Sequence, residues 1–539
     1  MWRSTLPLPS LRIGGRPMNL LTDPLLRVET THGPCRMNLP ALLAALGQDE
    51  VEHLPGIQRH QEDAVHVFLS YLAGAVLVRH KETNPVQAED FWRDGLRDLA
   101  GPWGDDPWTL IVPDPSRPAF LQPPLPVEDH AKLRPIASTP DGLDLLPTAK
   151  NHDLKARRAF RADPDEWVYA IISLQTMSGY YGRGNPGISR MNSGFGNRSV
   201  VELIRSPRPG IRWQDAVRRL LTHRQAVLSG NFGYDPQGLV LTWTEVWDGK
   251  QSLPLSQLDP FYIEVCRRVR LRGDTHIEGA DSVPSDAQRI AAAQLRGVVG
   301  DGWLPVDVRE TSGKDAGPKA LTVGGNGFDA ELMHRIIFED GLQLTALHRP
   351  LPDWQGDVWI SASVLVRGQG TTDGFRERQI AIPRKAQPRV FGPPVARQPF
   401  LELSRAAISC AATMQNRVLK PALQAYLAAA EGTTVTDRPG LEAWRSRALT
   451  RFEEGWTENL FPWLWSVPDD FDQEAMIADW VRQLSNLAWE VLQEAQRLLP
   501  DRRGRHYRAR VASDQRFWGA LYANFPYLKE ERHEYSTGP

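Results

Sequence analysis

The stretch SGYYGRGNPGISRMNSGFGNR, Ser178 to Arg198, holds six glycines, three arginines and no acidic residue. Glycine permits positive φ and lets backbone N–H groups come close to a ligand. Arginine supplies a planar fork that fits phosphate or the edge of guanine. Tyr180 and Tyr181 offer flat faces on which a base can stack. A buried core segment does not have this composition. The stretch reads as a loop built to meet a polyanion or, more plainly, as a long surface connection. The string Gly182 to Gly187 matches G-x-G-x-x-G, but a dinucleotide fingerprint needs a strand before it and a helix directly after. Pro186 lies inside the string, and Asn, Ser and Gly follow it, so the dinucleotide reading is set aside.

The surrounding chain has 539 residues and 41% hydrophobic content, enough for a large core and two or more domains. The formal net charge of −2 gives no global basic signature. The basic residues are nonetheless skewed, with 53 arginines against 10 lysines. Arginine is the better residue for bidentate phosphate and base contacts; a GC-rich genome would produce the same skew. Cys35, Cys266 and Cys410 lie far apart with no C-x-x-C pair, which excludes a zinc ribbon, argues against a disulfide framework and fits a reducing cytoplasm. No run of about 18 apolar residues predicts a transmembrane helix. Residues 1–17 lack the apolar region of a secretory signal. They are expected to be disordered or a misassigned start, with Met18 as the natural first residue.

Upstream of the loop, the text from Met18 reads as a short strand, a turn at Asp23-Pro24 and a second strand. Leu39 to Leu46 reads as a short helix. Gln61 to Lys81 is a stronger one, with Val65, Phe68, Leu69, Leu72 and Val76 at helical spacing. His60, Glu62, Asp63 and His66 cluster at its start without forming H-E-x-x-H; acids in a first turn suit the helix dipole. Gly101 to Pro147 is proline-rich and irregular, with Trp103, Trp108 and Phe120 as plugs. A basic run follows at Lys150, His152, Lys155, Arg157, Arg158 and Arg161. Glu166 to Gln175 is apolar and reads as a buried strand or short helix.

Downstream, Val200 to Ile204, Leu239 to Val246 and Tyr262 to Leu271 read as strands, the last carrying Arg267, Arg268 and Arg270, with Arg272 just beyond it. Asp301 to Val323 reads as a hairpin followed by the tight turn Gly324-Gly325-Asn326-Gly327. Trp354 to Val366 is another strand-pair region. Near Arg397 helical spacing takes over, with helices expected over Phe400 to Glu431, Pro439 to Phe461, Asp472 to Leu499 and Val511 to Phe525. The expected fold is therefore α+β: a large irregular mixed domain over 18–396 and a C-terminal four-helix bundle over 397–535. A second basic run, Arg502 to Arg510, separates the last two helices. No P-loop, G-x-S-x-G elbow or zincin motif is present. The balance favours a binding protein without nuclease or ATPase activity.

At this point the chain resembles the CasA-type large subunit of type I-E CRISPR Cascade. The resemblance rests on the opening M-N-L-L-T-D-P-L-L-R-V at Met18, the glycine loop, G-G-N-G-F-D-A-E-L-M-H-R at Gly324 to Arg335, and the four C-terminal helices in order. It implies a subunit that checks duplex DNA for a short flanking motif (the PAM), helps open the duplex for guide-RNA pairing, and offers a platform to a separate helicase-nuclease. Protein then reads the short motif while base pairing reads the long sequence. Its implied partners are CRISPR RNA, the other Cascade subunits and double-stranded DNA, in the cytoplasm, with no cofactor and no membrane.

Carried over, the resemblance implies that Gly179, Tyr180, Tyr181, Arg183, Gly184, Asn185, Arg190, Asn192, Gly194 and Arg198 touch the PAM duplex. Asn326, Gly327 and Phe328 would form a duplex-splitting wedge. Lys150, Lys155, Arg157 and Arg158, with Arg267, Arg268 and Arg270, would meet nucleic-acid backbone. Two departures stand out: the cysteine cluster that binds zinc in some relatives is missing, and no glutamine occupies the wedge. The alternatives are an enzyme that cradles a phosphorylated small molecule in the glycine loop, and an RNA-binding scaffold.

Overall fold

A computed structural model of the chain describes residues 18–145, 162–194, 196–309, 316–368, 371–431, 439–498 and 505–528. The basic run containing Lys150, Lys155, Arg157 and Arg158 lies outside the described residues, as do residues 1–17. The chain divides into two compact units, with breaks at Phe328/Asp329, Asp340/Gly341 and Ala381/Ile382. The helix Ala330–Phe338 thus belongs with the C-terminal residues, and the second unit begins at Ile382, before Arg397.

The first unit is organised on the helix Arg59–Arg79, whose residues from Ala64 to Leu77 are buried except His66. It is apolar nearly all round because it is covered on several sides, by the helices Pro164–Met177 and Pro209–Ser229 and by the strand Leu258–Ile263. Small sheets surround it. Leu26–Thr30 lies between Gly33–Met37 and Val51–His53, Ile277–Val283 between Arg134–Ala137 and Arg268–Gly273, and Val358–Gly368 between Val200–Ile204 and Thr371–Ile382. Between these short elements the backbone is irregular, and large aromatics fill the gaps. Trp108 and Phe120, from the proline-rich stretch, are fully buried.

The apolar Glu166–Gln175 segment, read as a buried strand or short helix, is helical and buried from Trp167 onward. A few expectations are corrected in detail. The proposed strand Leu239–Val246 ends at Leu241 and turns into a short 3-10 segment. The region Tyr262–Leu271 is two strands, broken over Glu264–Arg267. The first strand is Leu26–Thr30, not the residues just after Met18, where Asn19 makes only an isolated bridge to Thr109. The acidic and histidine cluster at the start of Arg59–Arg79 is a pairing network: His60 meets Asp144 at 2.7 Å, His66 meets Glu202 at 3.1 Å, and Asp63 meets Arg212 at 2.7 Å.

In the second unit, a helix starts at Pro394, passes through a π segment at Met414–Leu419 and ends at Glu431. The helices Pro439–Ser466, Gln473–Leu498 and His506–Asn524 complete the four-helix arrangement. Buried polar groups set its register. Trp480 Nε1 donates to Ala407 O at 3.1 Å, Ser513 Oγ to Ala422 O at 3.0 Å and Trp444 Nε1 to Ala495 O at 2.9 Å. Such bonds tie each helix to one partner face, since a slip would leave buried donors unsatisfied.

Candidate nucleic-acid interface

The glycine loop leaves the helix Pro164–Met177 and returns to the strand Val200–Ile204, so both ends are anchored in the core. Its base is closed by an antiparallel bridge between Ser178 and Asn197. Gly179 N–H donates to Gly196 O at 3.0 Å, Tyr180 N–H to Gly194 O at 2.8 Å and Ile188 N–H to Ser178 O at 3.0 Å. The tip closes on itself, with Tyr181 N–H donating to Asn185 O at 2.9 Å and Asn185 N–H to Gly182 O at 3.0 Å. Glycine is required at 179 because a Cβ there would lie 2.4 Å from Gly196 O and 2.5 Å from Gly194 O. The glycines therefore bring the chain close to itself. These N–H groups are engaged within the loop and are not donors to a phosphate, which counts against the small-molecule reading.

Side chains from outside the loop hold it. Glu264 accepts Ser189 N–H at 2.8 and 2.9 Å and Ser189 Oγ–H at 2.7 Å. Burial pushes the Glu264 carboxyl up to about 7, against the opposing Ser189 bonds and the charges of Arg190 and Arg198. Arg267 donates to Gly179 O at 3.1 Å and also to Pro186 O. Gln288 Nε2 donates to Gly187 O at 3.1 Å, and Ser285 N–H donates to Gly184 O at 2.8 Å.

The arginines of the loop separate into two kinds. Arg190 is buried: it donates to Tyr262 O at 2.9 Å and to Tyr71 OH at 3.2 Å, and its guanidinium lies 4.1 Å from the Tyr262 ring centre and 4.8 Å from that of Tyr71. Burial opposes its charge, but Tyr262, Tyr71 and Asp301 outweigh that and raise its pKa above the ordinary arginine value. Arg198 is buried too, on Asp301 at 2.6 Å. Both guanidinium groups are spent on partners inside the fold and are not presented at its surface, which argues against the expected DNA contact. Arg183 is exposed at the tip beside Tyr180 and Tyr181, which keep 42% and 38% of their surface. Gly194 is exposed, while Gly184, Asn185 and Asn192 are half-buried.

The backbone reading of Arg267, Arg268 and Arg270 is corrected in the same way. All three are buried. Arg268 is paired with Asp129 and donates to Ser285 Oγ at 3.2 Å. Arg270 donates to Arg117 O at 2.9 Å and Val112 O at 3.1 Å. The proline-rich segment has few regular backbone partners, and one five-donor fork satisfies several of its carbonyls. Burial lowers Arg270 to about 10, which leaves it charged at neutral pH.

The turn at Gly324 is also partly corrected. Gly324, Gly325 and Asn326 are exposed, but Gly327 and Phe328 are buried, Phe328 to 5% exposure. Phe328 is a plug beneath the turn, and Asn326 is the side chain at its tip. Gly327 has φ +69°, and a Cβ there would sit 2.9 Å from the Cβ of Arg376. The returning arm of the glycine loop and this turn form two walls of one cleft of about 220 Å³, with Gly194, Asn197, Gly324, Gly325, Arg367 and Asp373 among its lining. The structure thus brings together two stretches more than a hundred residues apart in sequence.

Sequence reasoning missed Glu264, Tyr71, Tyr262 and Asp301, the groups that receive Ser189, Arg190 and Arg198. The one available signal was a carboxylate inside the apolar run Phe261 to Cys266. Among the described residues no group of three or more His, Cys, Asp or Glu side chains is placed to hold a metal, and no helix is long and apolar enough to cross a membrane.

No protein-family model and no curated protein sequence matches the chain. Solved structures do. CasA from Thermus thermophilus superposes with a TM-score of 0.60 at 16% identity, covering 94% of this chain and 99% of that one. The CRISPR-associated protein Cse1 from Acidimicrobium ferrooxidans gives 0.56 at 14% identity, covering 94% and 98%. Thermobifida fusca Cse1 gives 0.58 at 15% identity, covering 95% and 98%. Over about 94% of its length this chain therefore has the fold of the Cse1/CasA proteins.

Proposed function

We propose that the chain is the large subunit of a type I-E RNA-guided CRISPR surveillance complex, which recognises the PAM in duplex DNA and promotes strand opening for guide-RNA pairing. The observation that carries this reading is the loop tip. Tyr180, Tyr181 and Arg183 stand exposed on a turn closed by the bonds from Tyr181 N–H to Asn185 O and from Asn185 N–H to Gly182 O, and the returning arm of the same loop shares one cleft with the exposed Gly324 turn. A tip held this rigidly loses little entropy on binding. Arg183 supplies a fork for phosphate or a base edge, and the tyrosines supply faces and hydroxyls. Asn326, at the tip of the opposing turn, is the group that enters between the strands. Its amide offers both donors and an acceptor to bases that lose their pairing.

In this reading the chain itself does no bond-breaking chemistry. Cleavage falls to a separate helicase-nuclease that docks on the complex, and CRISPR RNA and the other Cascade subunits are its standing partners in the cytoplasm. The test is reconstitution. The complex purified with a CRISPR RNA should form R-loops on a PAM-bearing duplex when this chain is present and fail to do so when it is omitted. Equal R-loop yield with and without the chain would refute the reading.

A further inference from the structure

The strand Thr371–Ile382 carries Arg376 and Arg378 two residues apart, hence on one face. That face meets the Gly324 turn. Arg378 Nη1 donates to Phe328 O at 3.2 Å, and the Cβ, Cγ and Cδ of Arg376 lie against Gly327. The alternate residues Phe375 and Glu377 turn the other way and meet Arg59, by a ring contact at 5.9 Å and an ion pair. Glu377 is therefore occupied elsewhere. Arg376 is exposed and makes no hydrogen bond or ion pair among the described residues. Its stem is packed on Gly327 of the turn, and the residue remains exposed there. The nearby cleft also carries the carboxylate Asp373, which already has a partner of its own.

We infer that Arg376 is a phosphate-contact residue of the duplex, placed by the Gly327 seat beside the point where the strands part. This rests on the proposed function. Gly327 serves both ends: its positive φ shapes the turn, and its missing side chain admits the arginine stem. An arginine held by its stem loses less freedom on meeting phosphate than one projecting from a free loop. The contact reads no sequence; it fixes the duplex in position relative to the splitting turn.

The test uses the assembled complex with wild-type chain, Arg376→Met and Arg376→Lys, on a PAM-bearing duplex over a salt series, with melting temperature as the fold control. Methionine keeps an unbranched stem on Gly327 and removes the charge. Expected is a decrease of about 0.9 in the log–log salt slope for Arg376→Met, for one lost phosphate contact on B-DNA, with PAM discrimination kept and the slope restored by Arg376→Lys. An unchanged slope in Arg376→Met, with wild-type binding intact, would overturn the inference and leave the proposed function standing. A slope change seen only for guide-RNA loading would overturn it in favour of an RNA contact. A wild-type complex without affinity for duplex DNA would overturn both.

Discussion

Replacing Arg190 or Arg183 by methionine removes the same charge from the same loop, and the structure predicts opposite consequences. Arg190 donates one charged hydrogen bond to Tyr262 O at 2.9 Å, a class of bond that contributes about 1.5–3 kcal/mol. Its desolvated cation–π contact on Tyr262, at 4.1 Å, contributes about 2 kcal/mol. The two overlap, because one guanidinium makes both, and Asp301 keeps Arg198 as a partner. A net loss of about 3 kcal/mol follows from these terms. Spread over the roughly 370 residues of the first unit, at about 2.1 cal/mol/K per residue, that lowers the melting temperature by about 4 °C. Arg183 is exposed and makes no such bonds, so Arg183→Met should change stability by less than about 0.5 kcal/mol. It should instead lower the salt slope of duplex binding by about 0.9. Calorimetry of the isolated chain and a salt titration of the assembled complex separate the two effects. If Arg190→Met melts with wild type while flattening the salt dependence, the buried assignment of Arg190 is wrong.

Further expectations concern the supports of the loop and turn. Gly179→Ala should loosen the base of the loop, since its Cβ would lie 2.4 Å from Gly196 O; hydrogen exchange over 178–198 should rise, at a cost of about 1–3 kcal/mol. Glu264 has a folded pKa of about 7 against a reference of 4.5. A raised pKa contributes stability that is present below pH 4.5 and lost as pH rises through 7, so wild type should lose stability relative to Glu264→Gln across that window, as read by chemical denaturation at each pH. Phe328→Ala should cost about 3–5 kcal/mol and slow R-loop formation equally on paired and pre-mismatched targets. Asn326→Gly should slow only the fully paired target, as measured by R-loop kinetics on the two substrates.

The outline of the fold was legible from amphipathic spacing. The helices at Arg59–Arg79 and through the second unit follow it, because each presents an apolar face or core to neighbours. The helix Pro209–Ser229 was missed: Arg212, Arg218, Arg219 and Arg224 interrupt its apolar spacing. All four are paired: Arg219 with Glu202 at 2.9 Å, Arg212 with Asp63 and Arg224 with Asp259 inside the unit, and Arg218 with Asp353 at its surface. The same confusion affected the site. Arginine in this chain commonly serves as an internal donor to irregular backbone, as Arg289 does to Thr242 O, Glu245 O and Val246 O. Charge type alone does not distinguish that use from a nucleic-acid contact; only the burial of each side chain does. The strand Thr371–Ile382 was missed for a related reason, since its exposed and half-exposed residues alternate without a clean apolar face.

The central claim is that the loop tip reads the flanking motif of duplex DNA. The most direct measurement compares affinities of the assembled complex for duplexes with and without a functional PAM, using wild type and a variant carrying Tyr180→Ala, Tyr181→Ala and Arg183→Ala. The account predicts that discrimination collapses in the variant while melting temperature and guide-RNA loading stay at wild-type values. Full discrimination retained by the variant would contradict it.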